Sequence, residues 1–134
     1  MTRPPLILAV DDNDQDLFLI RHVFELLRPS CLVQTFTNSQ TLIDFLCQTD
    51  QLPSLILVDW HMPLDNGIHV VEEIRRSSRY FRVPMFLLSS DANPTGHFKA
   101  LDNAATGFLI KPANYAEWNR LAEQLAHDFL DAYF

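Results

Sequence analysis

Basic charge, cysteine and long apolar runs are all scarce in this chain. Lysine and arginine number 10 against 17 acidic residues, for a net charge of -7 and a pI near 5.0. No basic stripe is available to neutralise phosphates, which excludes nucleic acid as a partner. The two cysteines, Cys31 and Cys47, form neither a metal-type spacing nor a CxxC pair, and they read as ordinary thiols in a reducing cytoplasm. No apolar stretch approaches the roughly 18 residues of a membrane span, so a membrane location is not expected. Met1-Thr2-Arg3-Pro4-Pro5 leads directly into a short apolar run, without the longer apolar region and small-residue cleavage site of a signal peptide. There is no internal repeat, low-complexity tract or linker. At 134 residues and 48% hydrophobic, the chain reads as one domain over residues 1–134 with no output domain.

Alternation is what the chain does have. Leu6–Val10 is a continuous apolar run, as a strand buried on both faces requires. Residues 14–27 then place Leu17, Ile20, Phe24 and Leu27 at helical spacing, with Asp14 and Asp16 in the first turn, where the helix dipole favours acids. Arg28-Pro29-Ser30 ends that helix. Strands follow at 32–36, 55–58, 84–88 and 107–110. Between them lie helices at about 39–48 (capped by Asn38 or Ser39), 68–77 and 94–103, a loop at 60–67, and a last helix at 115–129 carrying Trp118, Leu121, Leu125 and Phe129 on one stripe. Strands alternating with such helices imply βαβ crossovers and an α/β fold with a parallel sheet covered on both faces.

Three of the apolar runs end in charge. The first leads into Asp11-Asp12, the third into Asp59, and the fifth into Lys111-Pro112. In open parallel sheets ligands bind beyond the carboxyl ends of the strands. If the first and third strands are neighbours, three carboxylates repel one another at that edge. Oxygen-rich sites with few protein ligands suit Mg²⁺. Lys111 faces the acids, and Ser89 ends the fourth strand with a hydroxyl. A carboxylate nucleophile, a metal, a lysine and a hydroxyl donor can together move a phosphoryl group onto Asp59. Each feature alone has an ordinary explanation as a helix cap, a surface lysine or a local hydrogen bond. Their shared position at strand ends is what those explanations miss.

In these residues the chain resembles the receiver domains of two-component response regulators, over about residues 6–130. Asp11-Asp12 corresponds to the family's acidic pair, Asp59 to its phosphorylated aspartate, and Met62-Pro63 and Gly67 to the loop that follows. Ser89 corresponds to the Ser/Thr switch position, Phe108 to the switch aromatic, and Lys111-Pro112 to the lysine and usually cis proline. The resemblance implies an α/β fold, a (βα)5 doubly wound, flavodoxin-like parallel sheet with strand order 2-1-3-4-5. It also implies Mg²⁺ held by Asp12 and Asp59 directly, by Asp11 through water and by the backbone carbonyl of His61. A sensor histidine kinase or phosphotransfer protein would be the phosphoryl donor, and a downstream protein would bind the face formed by the fourth helix, fifth strand and fifth helix. Such a receiver is not an enzyme on another substrate; it catalyses only its own phosphoryl transfer and dephosphorylation.

Ser90 stands where Ala or Gly is usual, Ala104 where Gly is frequent, and His61 and Asp91 at positions that tune dephosphorylation. Asn13, Asp14 and Asp16 are assigned to the helix start with no metal role. A narrower resemblance, carried by Asp12-Asn13-Asp14-Gln15-Asp16 and the aromatic tail to Tyr133-Phe134, is to stand-alone regulators associated with phytochrome kinases. That tail also suggests a homodimer through the last helix or the fifth-strand edge. A pseudo-receiver that never takes phosphate is the alternative. A haloacid-dehalogenase-type phosphatase would need an Asp where His61 stands. A flavodoxin-type cofactor binder would need a Ser/Thr/Gly-rich loop after the first strand.

Overall fold

The computed structural model describes residues 3–62, 65–90 and 105–131. Its five long strands are β1 (Leu6–Val10), β2 (Leu32–Phe36), β3 (Leu55–Asp59), β6 (Met85–Ser89) and β7 (Gly107–Ile110). They form one parallel sheet in the order β2-β1-β3-β6-β7. Counting only the long strands, that is the 2-1-3-4-5 order implied by the family resemblance.

Every residue of β1 and β3 is buried, and successive side chains enter opposite layers. On one face Leu8, Val10, Ile56, Val58, Met85 and Leu87 pack against helices α2 (Ser39–Gln48) and α3 (Gly67–Arg75). On the other, Ile7, Ala9, Leu55, Leu57 and Leu88 meet helices α1 (Asp14–Leu27) and α4 (Tyr115–Leu125). The sheet is therefore covered on both sides, as continuous apolar strands demand. Each of these four helices starts on an asparagine. Asn13, Asn38, Asn66 and Asn114 sit in extended backbone and accept from the N–H of the third helical residue.

Residues 60–67 are not a plain loop. His61–Met62 (β4) and Asp65–Asn66 (β5) pair antiparallel, and the pair runs directly into α3. Backbone pairing of His61 with Asn66 satisfies groups that a loop would leave to water. Beyond Leu125 the last helix continues to Leu130 as a π-type turn rather than an α-helix, with Phe129 edge-on to Phe86 at 5.3 Å between ring centroids. The peptide bond before Pro112 is trans, not the cis form that the resemblance implied; the two isomers of an X–Pro bond differ by only about 0.5–1 kcal/mol. Cys31 is buried, Cys47 is exposed, and neither forms a disulfide. Among the described residues no helix is long and apolar enough to cross a membrane. The helix expected at 94–103 lies outside the described residues, as do Pro63, Asp91, Ala104, Tyr133 and Phe134.

Candidate functional site

The ladder hydrogen bonds run past the strand ends and fix the charged residues there. Asp11 N–H donates to Phe36 O at 3.0 Å, Trp60 N–H to Leu88 O at 2.7 Å, and Lys111 N–H to Ser89 O at 2.8 Å. Asp59 itself closes β3, opposite Leu88. Gly67 lets α3 start against this strand end. A Cβ there would lie 2.6 Å from the Asp59 carbonyl oxygen and 2.4 Å from Leu87 Cδ2, so only glycine allows that approach.

The three sequence-predicted acids converge. Carboxylate oxygens of Asp11, Asp12 and Asp59 all lie within 4.8 Å of one another. Asp11 and Asp59 are 1% and 5% exposed, while Asp12 opens to solvent. The Lys111 ammonium sits among them, 2.8 Å from Asp11 Oδ2 and 3.1 Å from Asp59 Oδ1. It also donates to Asp16 Oδ2 at 2.9 Å. Asp16, assigned from sequence only to the helix start, is thus part of the charge cluster. Asp16 is the third helical residue after the Asn13 cap, where an acid is ordinary, so the sequence carried no signal of this long-range contact.

Burial dominates the electrostatics. It pushes the Asp11 carboxyl up to about 6, against the opposing pull of Lys111 and of the Asn13 N–H, which donates to Asp11 Oδ1 at 2.9 Å. Burial also raises Asp59, opposed by Lys111, helped by the negative charge of Asp12 and offset in part by the His61 N–H. For Lys111 burial disfavours the charge, but the close contacts of its ammonium with Asp11 and Asp16 and the charges of Asp11 and Asp59 outweigh it, so its ammonium is held more firmly than usual. Among the described residues, Asp11, Asp16 and Asp59 pair with Lys111 and Asp12 lies beside Asp11 and Asp59, an arrangement short of positive charge.

That imbalance bears on a divalent ion. The donors at the triad are all oxygen, the choice of a hard cation. Asp11 Oδ2, fully buried, is close to Lys111 but receives no well-aligned hydrogen bond. An acceptor in that state is costly unless a cation or water completes it. The residues present therefore fit a divalent metal.

The remaining predicted residues surround the triad. Ser89 ends β6 and is fully buried. Phe108, opposite Leu87 in the sheet, is partly buried, its ring 5.8 Å from that of Trp60. His61 opens β4 with its ring exposed and edge-on to Trp60.

A response regulator receiver domain profile matches residues 7–123. The chain is 32% identical over 125 residues to the two-component response regulator ARR17 of Arabidopsis thaliana, spanning 86% of this chain and 80% of that one. It is 27% identical over 131 residues to a probable methanogenesis regulatory protein, FilR2, of Methanothrix harundinacea, spanning 95% and 84%. In fold it superposes on the phosphorylated cyanobacterial phytochrome response regulator RcpA with a TM-score of 0.85 at 24% identity, covering 98% of this chain and 97% of that one. The Mn²⁺-bound form of response regulator Rcp1 gives 0.82 at 21%, with 98% of both chains covered. The chain belongs to the response regulator receiver domain family.

Proposed function

We propose that this chain is a cytoplasmic signalling switch that takes a phosphoryl group on Asp59 from a sensor histidine kinase or phosphotransfer protein, with Mg²⁺ as cofactor. The observation that carries this reading is the setting of Asp59. It ends the central buried strand, with the Lys111 ammonium 3.1 Å away and two further carboxylates within 4.8 Å.

An oxygen of Asp59 bonds to phosphorus as the N–P bond of the donor phosphohistidine breaks and the neutral or protonated imidazole departs. Lys111 offers a compact positive charge to the phosphoryl oxygens. The hydroxyl of Ser89, buried at the end of the neighbouring strand, hydrogen-bonds the transferred group. Phe108 shifts inward behind it and alters the β7–α4 face that a downstream protein reads. Asp12 and Asp59, the His61 carbonyl and, through water, Asp11 would hold the Mg²⁺, which when bound adds positive charge at the same oxygens. Two fold neighbours support the reading by what they contain: RcpA is phosphorylated and Rcp1 holds Mn²⁺. The switch is a local charge event that biases a two-state element.

The test is addition of Mg²⁺ and beryllofluoride, followed by the fluorescence of Trp60, whose ring touches Phe108. A saturable change that requires both reagents supports the proposal. No change would favour the alternative, a phosphorylation-independent interaction module.

A homodimer through β7 or the last helix belongs to the same proposal. β7 is a sheet edge and Ile110 on it is 49% exposed, a combination that invites pairing. Light scattering at micromolar concentration checks it, and a mass of 15.5 kDa with and without beryllofluoride rejects it.

A further inference from the structure

The Lys111 ammonium lies in ion-pair contact with three carboxylates. Asp11, Asp16 and Asp59 lie 2.8, 2.9 and 3.1 Å from Nζ. Asp11 and Asp59 belong to the metal-binding triad, but Asp16 does not. Its carboxylate is 23% exposed and faces the lysine from the first turn of α1, hydrogen-bonded to Nζ. Water screens this pair weakly, because the Lys111 side chain is only 14% exposed.

We propose that Asp16 sets the charge balance at the phosphoacceptor, favouring the divalent cation and restraining the phosphoryl group by occupying Lys111. The inference rests on the phosphoryl reading of the site. A phosphoryl oxygen that approaches Lys111 must compete with Asp16 for an N–H donor. It also meets an ammonium whose potential is largely cancelled by an anion at 2.9 Å. For a cation the same carboxylate has the opposite effect, adding a fourth negative charge beside the triad. Asp16 is therefore a positioning residue that acts through Lys111, and its two effects have opposite signs. A residue that merely stabilised the start of α1 would, when replaced, weaken both ligands together.

Asp16→Asn keeps the shape and one oxygen acceptor while removing the charge. Two titrations of the full chain decide the matter: Mg²⁺ alone by calorimetry, then beryllofluoride at Mg²⁺ saturating for each variant. In Asp16→Asn the Mg²⁺ Kd should rise about three- to tenfold, and the half-saturating beryllofluoride concentration should fall by a similar factor. Asp16→Ala should show the same opposed signs, and Asp16→Glu should restore both values. Both ligands weakening together, or neither moving, in a variant with native circular dichroism overturns the inference while leaving the phosphoryl reading intact. A native chain that binds neither ligand overturns that reading and this inference with it.

Discussion

Asp11 should make the metal-free protein less stable as pH rises through the weakly acidic range. Its carboxyl is pushed from 3.8 to about 6 on folding, chiefly by burial. Between those values the folded chain holds a proton that the unfolded chain has released. The unfolded state then binds fewer protons, so stability falls with rising pH across the window and levels off above about pH 6. At 1.36 kcal/mol per pH unit, a separation of about two units corresponds to roughly 3 kcal/mol. The Asp11 side chain is only 2% exposed, so solvent screens little of this. Asp59, also raised by burial, adds to the fall. For a chain of 134 residues the loss translates into a decrease in Tm of about 10 °C. Thermal unfolding by circular dichroism in a chelator, at pH 4.5 to 7.5, measures it. Asp11→Asn, fixed in the neutral form, should flatten the profile and melt higher than the native chain at pH 7.5. Saturating Mg²⁺ should recover the loss only in the native chain, contributing about 1–3 kcal/mol at ten to a hundred times Kd. Parallel pH profiles for the native chain and Asp11→Asn would refute the burial argument.

Lys111→Ala should leave the core folded, since its ammonium pairs with carboxylates at the sheet edge rather than with the core, yet abolish the beryllofluoride-induced change in Trp60 fluorescence; an unchanged response would make Lys111 a bystander. Gly67→Ala puts a methyl 2.6 Å from the Asp59 carbonyl oxygen and should cost about 1–3 kcal/mol in chemical denaturation, with phosphoacceptor reactivity lowered as Asp59 is displaced; native stability in that variant would contradict the close approach of α3.

Much of the fold was legible because its signals are local. β1 and β3 are continuous apolar runs, buried along their whole length, and α1 carries a stripe that the structure buries as Leu17, Ile20, Val23 and Phe24. The acids and the lysine were legible because each directly follows, or closes, such a run. What stayed hidden depends on contacts across the chain. The β4–β5 hairpin has two-residue strands, too short to show a period. The π-type turn after Leu125 comes from packing of the last helix against the sheet. Asp16 looked like any acid in a first helical turn, and its link to Lys111 joins residues 95 apart in sequence.

The central claim is that Asp59 is the phosphoacceptor. Intact-mass measurement after incubation with acetyl phosphate and Mg²⁺ tests it most directly. In that reaction an Asp59 oxygen bonds to phosphorus as the acetate oxygen leaves. The native chain should gain the mass of a single phosphoryl group, and Asp59→Asn, which keeps the shape but lacks the nucleophile, should gain none. An equal mass gain in Asp59→Asn, or none in the native chain, would contradict the account.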